Sequence, residues 1–71
     1  MAEEIRAETG ANVMAVSMSE GDAVRDGDAL VLLESMSMEI PVLSEVSGTI
    51  STIAVKPGDA VEEGDLIAVV E

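Results

Sequence analysis

Gly21-Asp22-Ala23-Val24-Arg25-Asp26-Gly27-Asp28-Ala29-Leu30 returns 37 residues later as Gly58-Asp59-Ala60-Val61-Glu62-Glu63-Gly64-Asp65-Leu66-Ile67. The match runs outward from this stretch without a gap. Val13 falls on Ile50, Val16 on Ile53, Met18 on Val55, Leu32 on Val69 and Glu34 on Glu71. The two halves of this 71-residue chain, about 1–36 and 38–71, are each too small to bury a core alone. They must pack on one another as one domain, about a pseudo-two-fold axis.

Each half reads as strand and turn. Residues 12–18 and 49–55 are rich in β-branched side chains and read as strands. Ser-Glu-Gly-Asp at 19–22 and Lys-Pro-Gly-Asp at 56–59 read as turns, with Gly21 and Gly58 free to take positive φ. Short Asp-Ala-Val segments lead to second turns through Gly27 and Gly64, then to the apolar runs 30–33 and 66–70. Gly48 predicts a bend or bulge. Pro41 cannot donate a ladder hydrogen bond, so within the run 40–43 its amide side should face outward or lie at an edge. The repeat sets that run against residues 3–7, which predicts a further strand around Ile5. No apolar stripe of helical period survives the glycine spacing, so the expected class is all-β.

Composition narrows the chemistry. There is no cysteine, histidine or aromatic residue, which removes disulfides and the usual transition-metal ligands. Ten valines and five isoleucines supply most of a strand-forming core. Fifteen acidic residues against three basic ones give a net charge of −12. Nothing here neutralises phosphates or adsorbs to an anionic membrane, so neither nucleic acid nor a lipid surface is an expected partner. The longest apolar stretch, 29–33, is too short to span a bilayer. The opening Met1-Ala2-Glu3-Glu4 lacks the basic region of a signal peptide, and a cytoplasmic, soluble protein is expected.

Between the halves lies Glu34-Ser35-Met36-Ser37-Met38-Glu39. Shifting Ser37 by 37 residues lands just beyond either chain end. A true pseudo-dyad therefore sets Ser37 at one pole and the termini at the other. A lone serine in a polar turn is ordinarily a turn residue. Met36 and Met38 alternate with Ser37, which leaves both partial burial and exposure for recognition open. Glu34 and Glu39 bracket the turn, but no pocket, base or nucleophile accompanies them as a catalytic pair. Without histidine or cysteine, and with no base beside Ser37, hydrolase chemistry has no machinery.

The twice-repeated Gly-Asp-x-Val-x-x-Gly-Asp-x-Leu/Ile and the Met-x-Met hairpin between its copies resemble the biotinyl/lipoyl attachment domains. The chain is most similar to the short free-standing biotinyl (biotin carboxyl carrier) proteins of actinobacteria. It shares with them its opening, residues 1–8, and its centre, Leu32 to Leu43. The resemblance implies a flattened barrel of two four-stranded antiparallel sheets. The methionine flanks imply the biotinyl branch rather than the lipoyl one. In that branch a biotin ligase joins biotin to a lysine between the methionines. Biotin carboxylase then loads the ring, and a carboxyltransferase unloads it onto an acceptor such as an acyl-CoA. The carrier supplies tether and proximity and is not itself an enzyme. The resemblance makes Glu34, Met36, Met38 and Glu39 the recognition residues of the hairpin.

One residue departs from the pattern: Ser37 stands where the lysine is expected. Serine has neither the amine nor the reach, so the expectation is a carrier in non-biotinylatable form with no covalent biotin. Ser37 reads as a deliberate substitution that traps the unmodified form, as a natural feature of a decoy or regulatory binding module, or as the acceptor of another modification. Lys56 is the only lysine left. It lies in the turn 56–59 without methionine flanks and reads as a solvated turn residue.

Overall fold

A computed structural model describes residues 2–71. It contains strands β1 (Glu3–Arg6), β2 (Ala11–Val16), β3 (Ala23–Val24), β4 (Ala29–Ser35), β5 (Met38–Leu43), β6 (Gly48–Ile53), β7 (Ala60–Val61) and β8 (Leu66–Val70), and no helix among the described residues. They form two four-stranded antiparallel sheets, ordered β1-β8-β6-β3 and β5-β4-β2-β7.

Residues that repeat in sequence also pair alike. Val13↔Leu33, Ala15↔Leu32 and Val16↔Val31 in one sheet become Ile50↔Val70, Thr52↔Val69 and Ile53↔Ala68 in the other. Each set carries one register shift, after Val13 and after Ile50. The inward residues of both sheets form one core, in which Leu30, Leu33, Ile50 and Ile67 are fully enclosed. Each sheet takes two strands from either half, so the halves interlace and the two sheets bury one face each against one another.

Four turns of one design close the sheets. In Ser19–Asp22, Arg25–Asp28, Lys56–Asp59 and Glu62–Asp65 the third residue is glycine at φ between +91° and +95°. A type II turn requires that sign at this place. Each aspartate closes the turn twice. Its N–H donates to the first residue's carbonyl at 3.0–3.1 Å, and its carboxylate accepts the first residue's N–H at 2.8–3.0 Å. The glycines are visible in the sequence as turn residues; the aspartates' second role emerges from the geometry.

Two expectations shift. Gly48 is neither a bend nor a bulge: it opens β6 without a positive φ, and the register irregularity falls two residues later, between Ile50 and Thr52. Its requirement is closeness, since a Cβ there would collide with the Glu71 carbonyl. The strands expected over 12–18 and 49–55 end earlier, at Val16 and Ile53. Pro41 lies on β5, an edge strand, where its missing donor is harmless.

Candidate functional site: the β4–β5 hairpin tip

β4 and β5 pair from Ala29↔Leu43 up to Ser35↔Met38, leaving Met36 and Ser37 as a two-residue loop. Both loop residues have positive φ, 53° and 66°. This is the backbone sign of a type I′ turn, whose twist matches the flanking strands. Asparagine and glycine fill such turns at low cost, whereas methionine and serine bear the left-handed penalty. The positions held in this conformation are those the sequence marks for attachment and recognition. Strain of this kind gathers at functional sites.

The tip is open on all sides. Met36 is 92% exposed and Met38 65%, so neither packs on the core. The burial that strand alternation leaves open for them does not occur, because the chain reverses at Met36–Ser37 instead of staying extended. Glu34 and Glu39 are Cα partners across the neck of the hairpin, both exposed. Like charges directly opposite weaken a strand pair, so this pairing is not there for stability. A shallow depression beside the tip is lined by Asn12, Glu34, Ser35, Ser37 and Glu62.

The tip and the C-terminal Glu71 occupy opposite ends of the body. Glu71 exchanges two 2.8 Å backbone bonds with Thr49. The neighbouring Gly48 pairs with Val24, and Ser47 accepts from the Asp26 N–H. Gly27 then donates to the Ser44 carbonyl, at the open end of the hairpin. β4 runs seven residues from that end to the tip, roughly 20 Å. Lys56 is exposed in the turn 56–59, whose Gly58 N–H bonds the Val13 carbonyl, and it does not line the depression at the tip.

Among the described residues no cluster of three or more His, Cys, Asp or Glu side chains is placed to hold a metal, and no helix is long and apolar enough to cross a membrane.

Comparison with known proteins agrees with this geometry. Residues 2–70 match the family model described as "Biotin-requiring enzyme". A "Biotinylated protein TB7.3 homolog" of Mycobacterium leprae is 62% identical over 48 residues, 68% of either chain. Among solved structures, Kluyveromyces lactis urea carboxylase superposes over the whole chain with a TM-score of 0.94 and 35% identity. A single-chain, multi-domain long-chain acyl-CoA carboxylase gives 0.90 and 29% over 96%. The chain spans only 6% and 7% of those two proteins. The lipoyl domain of the Azotobacter vinelandii 2-oxoglutarate dehydrogenase complex, with a TM-score of 0.76 and 24% identity, covers 94% of this chain and 95% of its own, and shares the fold. The repeat, the paired sheets and the raised Met-x-Met hairpin therefore belong to one family: the chain is a member of the biotin/lipoyl attachment domains, a non-catalytic, biotin-carboxyl-carrier-like domain.

Proposed function

We propose that this chain is the biotin carboxyl carrier domain of a biotin-dependent carboxylase system of the acyl-CoA type, in a form that does not accept biotin at its tip. The observation that supports it best is the hairpin: a strained, exposed loop at the end of the body remote from Glu71, with Ser37 between two exposed methionines. The family attaches biotin to an amine on a long stem. Ser37 offers a hydroxyl one carbon from the backbone, and Lys56 lies in another turn. The residues present do not fit a covalently held biotin, and no transfer step runs through this chain as it stands.

What the chain retains is presentation. Strands β4 and β5 carry the hairpin out from a closed core, and Glu34, Met36, Met38 and Glu39 stand exposed for a biotin ligase, a biotin carboxylase and a carboxyltransferase, in the cytoplasm. The resemblance to urea and long-chain acyl-CoA carboxylases supports partners of that class. A second reading is a decoy or regulatory module that engages the same enzymes unmodified. The exposed apolar tip with a hydroxyl in the acceptor's place favours it.

Intact-mass spectrometry after incubation with biotin, ATP and a bacterial biotin ligase separates the two. The carrier reading expects no mass change in this chain and one biotin on Ser37→Lys. If the ligase ignores Ser37→Lys as well, the carrier reading fails, and binding of the unaltered chain to a ligase or carboxylase without modification would then establish the decoy.

A further inference from the structure

Because the two sheets share one register, outward residues in the body of these strands have twins 37 positions away in a matching backbone environment. On the outer face of β1-β8-β6 stand Ser51, Thr52, Glu4 and Arg6, the last two joined by a 2.7 Å ion pair. The corresponding places on β5-β4-β2 hold Met14, Ala15, Pro41 and Leu43. Met14 and Leu43 are 41% and 46% exposed, and Ala15 and Pro41 are exposed as well. Ala15, Leu32 and Pro41 lie side by side across three strands. A polar quartet suits this backbone, since the other sheet carries one. The fold therefore does not call for the apolar quartet. Single exposed apolar residues are ordinary; four gathered on one face, with polar twins on the other, mark an interaction surface.

We infer that the outer face of β5-β4-β2 docks a protein whose contact has an apolar centre ringed by lysine and arginine, and that the same protein engages the tip. The inference rests on the carrier reading for its choice of partner. Two observations select this occupant. First, the face is continuous with the neck of the hairpin, because Glu39 shares the outer side of β5 with Pro41 and Leu43. Second, acidic side chains frame it: Glu34 and Glu39 at the tip end and Glu45 at the other, with Arg25 the cation of the adjoining turn. A second copy would bring another net charge of −12 and the same acidic frame, so self-association is opposed.

The test is an amide map of the unaltered ¹⁵N-labelled chain titrated with a bacterial biotin ligase. Docking expects signals of Met14, Ala15, Leu32 and Leu43 to shift or broaden together with those of residues 34–39, and more weakly as salt rises. Replacing the quartet by its own twins (M14S, A15T, P41E, L43R) should weaken ligase binding at least tenfold, whereas Ser51→Ala with Thr52→Ala leaves it unchanged. Changes confined to 34–39, equal changes on the Ser51–Thr52 face, no changes at all, or sedimentation showing a dimer broken by the quartet would each overturn the inference. The map needs no variant to fold. The mass test of Ser37→Lys decides the carrier reading separately.

Discussion

Gly48 and Glu71 meet so closely that no side chain fits between them: a Cβ on Gly48 would strike the Glu71 carbonyl and touch the Val70 side chain. The approach is fixed by the paired bonds between Thr49 and Glu71 on the next rung. Gly48→Ala should therefore lower stability by about 2 kcal/mol, since neither backbone can retreat without breaking that rung. In a domain of this size that is a fall in Tm of roughly 8–16 °C. Gly10→Ala is the control, because its Cβ would meet only the Val61 carbonyl, at 3.8 Å. Thermal melts of the two variants should diverge; equal melts would remove the close approach as the reason for glycine.

The hairpin loop offers the opposite change. Met36→Asn with Ser37→Gly replaces two residues at positive φ by the pair such a turn prefers. Relief of about 1 kcal/mol per position should raise the Tm of the double variant by several degrees. Unchanged or lower stability would mean the loop is not strained.

Each Asp-closed turn predicts a graded result. Asp59→Ala loses the carboxylate that accepts the Lys56 N–H at 3.0 Å and should cost about 1 kcal/mol. Asp59→Asn keeps an acceptor in place and should lie near the unaltered protein. Urea midpoints that fail to separate the two would show that the side-chain bond contributes nothing.

Salt should stabilise this domain. With a net charge of −12 and a single Arg6–Glu4 ion pair among the described residues, self-repulsion outweighs attraction across the surface. Raising ionic strength from about 10 mM to about 1 M shortens the screening length from roughly 30 Å to 3 Å. Tm should climb across that range, and a fall would count against repulsion as the dominant surface term.

Much of the fold was legible because the 37-residue repeat states it twice. The glycines of the four turns, the apolar runs at 30–33 and 66–70 and the edge position of Pro41 all follow from local stereochemistry. The hairpin stood out by composition, with Ser37 between two methionines. The fate of Met36 and Met38 was not legible. Alternation describes an extended strand, and the chain turns back at that point, lifting both away from the core. The need for glycine at 48 escapes the local pattern for a similar reason: its neighbour in space is Glu71, far along the chain.

The sequence by itself determined which residues turn, which face inward and that two halves must share a core, because φ preferences and side-chain alternation are local properties. Only the tertiary structure decided the rest. It paired β1 with β8 from opposite ends of the chain, gave the loop two left-handed residues and gathered Met14, Ala15, Pro41 and Leu43 on one sheet opposite their polar twins. These depend on contacts between distant segments, which a local pattern can permit but cannot specify, since they arise only when strands of both halves join into two sheets and those sheets close on one another.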